Sequence, residues 1–210
     1  MSHEPSASPL ILGGAHTPRA ALPQLPPLAL YIHIPWCVRK CPYCDFNSHA
    51  ASPTLPEEEY VDALLADLDQ DLHAVHGREL SSIFFGGGTP SLFSAQALGR
   101  LLKGVEQRIR FAPDIEITLE ANPGTFEQEK FTAYRALGIN RLSIGIQSFQ
   151  EQKLKALGRI HNGDEAIRAA GMARQAGFDN FNLDLMHGLP DQSLDCLLYT
   201  SDAADEEDSV

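Results

Sequence analysis

The sequence of 210 residues lacks the features that usually mark membrane-spanning, secreted and nucleic-acid-binding chains. No apolar run approaches the roughly 20 residues that a helix needs to cross a bilayer. Lys and Arg number only 16 against 28 Asp and Glu, and this net charge of −12 gives no electrostatic support for a nucleic-acid partner. The first 27 residues lack a basic start and an uninterrupted apolar stretch, so they do not resemble a signal peptide. We expect residues 1–27 to be a disordered lead-in.

Cysteine is scarce, but three of the four cysteines fall in one short segment. Cys37, Cys41 and Cys44 have C-x3-C-x2-C spacing and follow an apolar run. An odd number of thiols this close together cannot form a consistent set of disulfides, and reduced thiols without a secretion signal indicate the cytoplasm. Thiolates select iron–sulfur clusters or zinc. A zinc site completed by His33 or His49 is the alternative, but structural zinc usually has paired cysteines and four ligands. The trio favours a four-iron cluster with one iron open to an exchangeable ligand.

Apolar strand-like segments alternate with helical segments along the chain. The strands are predicted near residues 28–34, 81–85, 115–121, 141–147 and 181–186, and Thr125–Gln128 and Ser148–Glu151 predict capping boxes at two of the helices. This alternation indicates an α/β fold of parallel βα units, either an open doubly wound sheet or a barrel. Distinctive residues follow the carboxyl ends of all five strands, and those ends converge at the mouth of a barrel. The barrel is therefore favoured.

A run of three glycines follows the second strand. Residues 86–88 and Thr89 are not followed by the Gly-Lys-Ser/Thr of a nucleotide-binding loop, and they lack the G-x-G-x-x-G pattern. Such a run is often only a tight turn, but it also lets a backbone approach a ligand closely. Glu120 ends the third strand, and it is either a buried paired carboxylate or an acceptor for the hydroxyls of a ribose.

Three further polar residues lie close to the same predicted mouth. Gln147 and Asp184 end the fourth and fifth strands, and Arg159 is able to bind a ligand carboxylate through both of its terminal nitrogens. Each is as compatible with a structural role as with a site. His161 and His187 lie nearby, but a lone histidine is more often structural than a ligand.

Together these residues resemble the radical S-adenosylmethionine (SAM) superfamily, and within it the group of oxygen-independent coproporphyrinogen III oxidase and heme chaperones of the HemW type. The resemblance covers residues 28–195 and implies a partial TIM-type (β/α)6 barrel that is truncated after about five βα units. The motifs that carry it are Tyr31-Ile-His-Ile-Pro-Trp-Cys37, Cys41-Pro-Tyr-Cys44-Asp-Phe46, Gly86-Gly-Gly-Thr-Pro-Ser91, Leu119-Glu-Ala-Asn-Pro-Gly124, Ser143-Ile-Gly-Ile-Gln-Ser-Phe149 and Asp184-Leu-Met-His-Gly-Leu-Pro190.

The resemblance implies cofactors and assigns residues to them. A [4Fe–4S] cluster would be held by the three cysteines, and its open iron would bind SAM. An electron donor would reduce the cluster, which then cleaves SAM to a 5′-deoxyadenosyl radical. The implied SAM contacts are Tyr31 and Tyr43 beside the cofactor, Gly87, Gly88 and Thr89 at its methionine end, Glu120 at its ribose, and Gln147, Arg159 and Asp184 around a second SAM molecule.

Two departures from the oxidase pattern favour the heme chaperone. Phe46 stands where that pattern has a fourth cysteine, and residues 1–27 are too short to form its N-terminal arm. A chaperone would bind heme through a C-terminal part outside this sequence and pass it to heme-accepting proteins. The alternatives are an oxidoreductase of the coproporphyrinogen III dehydrogenase type, which acts on a porphyrinogen, and a zinc-stapled binding domain. Whether the chain is an enzyme stays open at this point.

The last residues differ in character from the rest. Residues 196–200 are uncharged, whereas residues 201–210 contain five acids and no Lys or Arg. The segment resembles the translation of a sequencing adaptor, although an ordinary acidic tail is the alternative. We interpret residues 196–210 as non-native, and we expect residues 28–195 to be an incomplete radical SAM core domain.

Overall fold

The computed structural model describes residues 25–125 and 128–196. The lead-in predicted over residues 1–27 and the tail predicted over residues 196–210 lie almost wholly outside these residues, so the domain bounds stay predictions. Among the described residues, no helix has the length and apolar character that a membrane crossing requires.

The main sheet consists of five parallel strands whose spatial order follows the chain. The strands of the structure are β1 (Leu28–Ile34), β2 (Trp36–Cys37), β3 (His49–Ala50), β4 (Leu80–Gly87), β5 (Phe111–Ala121), β6 (Arg141–Gln147) and β7 (Phe181–Leu185). β1, β4, β5, β6 and β7 pair in that order. A doubly wound sheet reverses its strand order at a switch point, and no such reversal is found among these strands. The sequential order is that of a barrel, as predicted.

A second, very short pair of strands closes the cysteine loop. β2 and β3 pair in parallel and join Trp36 to His49 and Cys37 to Ala50. The amide of His49 donates to the carbonyl oxygen of Pro35 at 2.7 Å, and the amide of Ala51 donates to that of Cys37 at the same distance. The sequence did not indicate this pairing, which gives the loop between residues 37 and 50 a fixed base.

Within residues 25–125 and 128–196, five α-helices connect or follow the strands. They are α1 (Glu57–Asp71), α2 (Ala95–Glu106), α3 (Gln128–Ala136), α4 (Glu151–Ala156) and α5 (Gly163–Gln175). The capping box predicted at Ser148 and Glu151 is wrong, because α4 has Gln150 as its N-cap with no side-chain cap, and the Ser148 hydroxyl accepts from the Gln150 amide. A capping box forms instead at α5, between Asn162 and Glu165. The box predicted at residues 125–128 includes residues outside the described ranges.

The two faces of the sheet differ sharply in polarity. The face toward the helices is apolar and buried, with residues such as Ile83, Leu119 and Ile144 packed against Leu98 of α2 and Phe131 of α3. The alternate residues of the central strands point the other way, because successive side chains of a strand face opposite sides. On that opposite face β5, β6 and β7 carry Glu116, Thr118, Glu120, Arg141, Ser143, Gln147, Asn182 and Asp184.

Candidate functional site

The cysteine loop crosses the carboxyl end of the sheet and presents its three thiols on one side. Cys37, Cys41 and Cys44 are free and half-buried. A turn closes between the last two, with the Cys44 amide donating to the Cys41 carbonyl oxygen at 3.1 Å. The Lys40 ammonium donates to the carbonyl oxygens of Phe46 and Ser48 at 3.4 and 3.1 Å, which fixes the far side of the loop. Burial is the largest cause of the raised pKa of the Cys37 thiol, and the charges of Cys44 and Cys41 add to it.

The arrangement of the side chains gives no support to the zinc alternative. Among the described residues, no three Cys, His, Asp or Glu side chains converge as ligands of one metal ion. Tetrahedral zinc would bring the thiolate sulfurs to about 3.8 Å from one another, given Zn–S bonds of about 2.3 Å. The His33 ring is engaged elsewhere, since Nε2 lies 2.8 Å from the Asn47 carbonyl oxygen and Nδ1 lies 3.0 Å from the Tyr31 hydroxyl. His49 is exposed. Three thiols that line one cavity without converging suit a cluster whose cysteines each bind a different iron.

The glycine turn, residues 86–89 at the carboxyl end of β4, passes directly against the start of the cysteine loop. The Gly88 amide donates to the Ile34 carbonyl oxygen at 2.8 Å, and the Thr89 amide donates to that of Trp36 at 2.7 Å. A Cβ at Gly88 would lie 2.6 Å from the Trp36 carbonyl oxygen. Gly87 has φ +119°, which side chains rarely adopt, and a Cβ there would lie 2.7 Å from the His33 ring. Glycine is therefore required for this close approach of two backbones.

The carboxyl ends of the strands and the cysteine loop enclose a cavity of about 300 Å³. This volume is at the lower end of the range of roughly 300–1,000 Å³ for small-molecule sites. All the predicted site residues except Tyr31 line the cavity, together with Arg39, Phe46, Ala121, Asn122, Ser143, Gly145 and Met186. Tyr31 is 57% exposed, and its ring lies against Gly86 rather than at the cavity wall. The assigned roles of all these residues stay predictions.

Glu120 projects into this cavity from the end of β5. Its Oε2 accepts a hydrogen bond from the Gly87 amide at 3.1 Å. The pKa of its carboxyl group is raised from 4.5 to about 7 because it is largely buried; the nearby charge of Asp184 raises it further, while the Gly87 hydrogen bond acts in the opposite direction. The carboxyl group is therefore able to donate as well as accept hydrogen bonds near neutral pH.

Arg159 follows α4 and joins three elements of the site. Nη2 donates to the Asn122 side-chain oxygen after β5 and, at 2.7 Å, to the Gly145 carbonyl oxygen of β6. Nη1 lies 3.6 Å from the Cys41 sulfur. Asn122 in turn donates to the Thr89 hydroxyl at 3.0 Å, which connects this network to the glycine turn. Arg159 forms no ion pair within the described part of the chain.

Asp184 is held in place by its neighbours on the polar face of the sheet. The Ser143 hydroxyl donates to Oδ2 at 2.8 Å, and the Asn182 amide group donates to Oδ1 at 2.5 Å and to Ser143 at 3.1 Å. Arg141 donates to the Asn182 side-chain oxygen at 2.7 Å. These contacts fix the carboxylate of Asp184 at the wall of the cavity.

Gln147 has a left-handed backbone at the end of β6, with φ +69°. Such a conformation is uncommon for a residue other than glycine and costs about 1–3 kcal/mol. It coincides with an irregularity in the pairing of β6 with β7, and the Met186 amide donates to the Gln147 carbonyl oxygen at 2.9 Å. The irregularity turns the chain so that the Gln147 side chain lines the cavity.

Sequence reasoning overlooked several residues of the cavity, among them three at or near the strand ends. Asn122, Ser143 and Gly145 line it, and a Cβ at Gly145 would lie 2.7 Å from the Asn122 side-chain oxygen. The signal for Asn122 was its place directly after a strand, beside Glu120. Ser143 shares the face of Gln147 in the two-residue alternation of β6. The two predicted structural histidines do not line the cavity: His161 is buried with Nε2 3.0 Å from the Ile146 carbonyl oxygen, and His187 is exposed.

Comparison with known proteins agrees with this geometry. The model of the radical SAM superfamily matches residues 31–204. The heme chaperone HemW of Escherichia coli is 61% identical over 172 residues, which are 82% of this chain and 46% of that protein. HemW of Haemophilus influenzae is 58% identical, over 83% of this chain and 46% of its own length. The chain thus spans less than half the length of the curated relatives it matches.

Solved structures share the fold. Coproporphyrinogen III oxidase (HemN) from Escherichia coli, described as a radical SAM enzyme, has a TM-score of 0.76 and 32% identity, over 86% of this chain and 42% of that one. The radical SAM methyltransferase TsrM from Kitasatospora setae, solved with cobalamin and a [4Fe–4S] cluster, has a TM-score of 0.57 but only 16% identity, so it shows the fold alone. The fold is thus the predicted partial TIM-type barrel. Because the family model covers most of the sequence, the chain belongs to the radical SAM superfamily.

Proposed function

We propose that this chain is the radical SAM domain of a heme chaperone. In this proposal Cys37, Cys41 and Cys44 bind a [4Fe–4S] cluster, SAM occupies the adjoining cavity, and the complete protein passes heme to acceptor proteins. Membership of the superfamily implies the cluster and SAM. The observation that carries the assignment to this chain is the meeting of the three thiols with Glu120, Arg159 and the glycine turn around one cavity.

The residues of the cavity suit the polar groups of SAM. The Thr89 hydroxyl is a hydrogen-bonding group for a carboxylate or amine, whereas the amides of Gly87, Gly88 and Thr89 already donate within the chain. Glu120 suits the hydroxyls of a ribose, because a half-protonated carboxyl group both donates and accepts. Arg159 supplies a cation that no carboxylate of the described residues neutralises. When bound, the cluster and SAM would supply one-electron chemistry, while these side chains position SAM and exclude water.

The higher identity to the HemW proteins and the presence of Phe46 in place of a cysteine favour the chaperone over the oxidase. Identity to the HemW proteins reaches 61%, against 32% to HemN. Phe46 is 67% exposed at the rim of the cavity, in the place of the oxidase's further cysteine. Heme delivery, the acceptor proteins and the electron donor belong to this proposal, as do the second SAM contacts of Gln147, Arg159 and Asp184.

Anaerobic reconstitution with iron and sulfide tests the cluster. We expect about four iron and four sulfide per chain with broad absorbance in the visible region, and loss of both in C37A, C41A or C44A. Cys196→Ala is the matched control, because Cys196 is also a half-buried cysteine but does not line the cavity. A colourless protein with stoichiometric zinc would reject the cluster.

The chaperone and the oxidase are separated by their reactions. The complete reconstituted gene product is incubated anaerobically with SAM, a reductant and coproporphyrinogen III, and in parallel with heme. We expect stable heme binding and no loss of carbon dioxide from the propionate groups. Formation of vinyl products would establish the oxidase instead. We expect a cytoplasmic location, which fractionation of cells that express the complete gene would test.

A further inference from the structure

Arg159 contacts one of the three cluster thiols directly. Nη1 lies 3.6 Å from the Cys41 sulfur, within hydrogen-bond range for sulfur. Cys41 therefore has a full positive charge next to its sulfur.

Among the described residues, the hydrogen-bond partners of the other two cluster thiols are neutral. The Cys44 sulfur lies 3.8 Å from the Ser48 hydroxyl, and Cys37 interacts with the hydroxyls of Thr89 and Ser48. The contact of Cys41 is therefore different in kind from those of Cys37 and Cys44, because a charged donor binds a thiolate more strongly than a hydroxyl does.

The guanidinium is held rigidly in this position. Its Nη2 donates both to the Asn122 side chain and to the Gly145 carbonyl oxygen, so two different strand ends fix its plane. Its Nε is buried without a hydrogen-bond partner, and no acidic side chain of the described residues forms an ion pair with it. The positive charge beside the Cys41 sulfur is therefore not neutralised by a carboxylate of the described residues.

We propose that Arg159 raises the reduction potential of the cluster through its contact with the Cys41 sulfur. Reduction adds one electron to a cluster that already carries three thiolates, and a nearby cation with an N–H directed at a ligand sulfur stabilises the added charge. Partners of the metal ligands commonly tune a site in this way. This inference rests on the proposed function, since it requires the cluster on these cysteines, and it is separate from the predicted contact of Arg159 with SAM.

The test measures the potential without SAM. Wild type, R159Q and R159K are reconstituted, assayed for iron and sulfide, and titrated with a reductant while the reduced cluster is followed by electron paramagnetic resonance. R135Q is the matched control, because Arg135 is exposed on α3, donates to the Gly177 carbonyl oxygen and loses the same charge on substitution. SAM affinity is measured in parallel.

We expect R159Q to have the more negative potential. At the midpoint of the wild type, its ratio of reduced to oxidised cluster should fall about threefold to tenfold, because only the part of the hydrogen bond that strengthens on reduction affects the potential. R159K keeps the positive charge but lacks the planar guanidinium that Asn122 and Gly145 hold in place. The shift of its reduction potential should therefore be smaller and in the same direction. R135Q should match the wild type.

Equal potentials in wild type, R159Q and R159K would overturn the inference, and so would equal shifts in R159Q and R135Q. Weaker SAM binding with an unchanged potential would make Arg159 a SAM ligand only. If R159Q assembles no cluster, R159K is compared with the wild type instead. An equal reduction potential in these two proteins would then overturn the inference. A wild type that assembles no cluster rejects the proposed function itself, an outcome that the iron and sulfide assay identifies before any potential is measured.

Discussion

Glu120 is a carboxyl group whose surroundings oppose its charge. Most of the group is buried, Asp184 lies nearby, and the Gly87 amide is its one hydrogen-bond donor among the described residues. Burial of an ionised carboxylate without a cation costs free energy, and its pKa of about 7 reflects that cost. Such a group at a ligand cavity is typical of a functional site, although a structural network produces the same shift.

The raised pKa of Glu120 predicts a pH dependence of stability. Because the folded pKa of about 7 exceeds the ordinary value of 4.5, the stabilisation is present in full below pH 4.5 and is lost as the pH rises through 7. E120Q should therefore be more stable than the wild type at pH 8, by up to about 3 kcal/mol, with little difference at pH 4.5. Urea denaturation of the protein without cofactors at the two pH values measures this change.

A control for E120Q lies on the same strand. E116Q removes a carboxylate at an exposed position of β5 and is the matched control for the change of charge. If E120Q retains the wild-type decrease in stability between pH 4.5 and 8, the carboxyl group of Glu120 does not titrate as stated.

At the scale of elements, the glycine turn joins the sheet to the cysteine loop. Backbone hydrogen bonds from Gly88 and Thr89 reach the carbonyl oxygens of Ile34 and Trp36, just before Cys37. A side chain on Gly88 would meet backbone atoms, which cannot move aside as a flexible side chain can. The geometry of the cluster loop therefore depends on a residue that contacts no thiol.

Gly88→Ala should consequently disturb both the fold and the cluster. We expect a loss of about 1–3 kcal/mol in the free energy of unfolding, the usual cost of overpacking, together with reduced iron content after reconstitution. Gly171→Ala is the matched control, because a Cβ in the middle of α5 would meet nothing within 4 Å. It should stabilise the protein by about 0.5–1 kcal/mol. Equal unfolding midpoints for the two variants would contradict the crowding at Gly88.

The elements differ in how far the sequence predicts them. Leu28–Ile34 and Arg141–Gln147 are correct as strands: the first is a mostly apolar run, and the second alternates apolar residues with polar or small ones, so each pattern reflects local burial. The Ser148 box fails because α4 begins two residues later than a helix capped by Ser148 would, and the Ser148 hydroxyl accepts from the nearer amide of Gln150. The β2–β3 pair has only two residues on each strand and depends on contacts across the cysteine loop, which no local pattern specifies.

The site shows the same division at the scale of the whole molecule. Residues at strand ends, such as Glu120 and Asp184, could be grouped from sequence because parallel strands present their carboxyl ends at one edge. Arg159 follows a helix instead, and only the folded chain brings it to the Cys41 sulfur, 118 positions away. Likewise, Tyr31 shares a motif with the cysteines, yet its ring lies outside the cavity wall. The grouping of the three thiols could be predicted because the cysteines are close in sequence. The contacts between residues far apart in sequence could be found only in the folded chain.

Ligand binding should stabilise the whole domain, because the cavity is built from every strand of the sheet that follows β1. A ligand that binds only the folded state adds about 2.7 kcal/mol when its concentration is 100 times its dissociation constant. We therefore expect SAM to raise the unfolding temperature of the reconstituted protein in a concentration-dependent way. The triple variant C37A/C41A/C44A should lose most of this response because it lacks the iron that SAM would bind, whereas C196A should keep it. Differential scanning fluorimetry under anaerobic conditions measures the shifts. An equal response in the triple variant would show that SAM binds through Glu120, Arg159 and the glycine turn alone, so that the cluster would be dispensable for holding SAM.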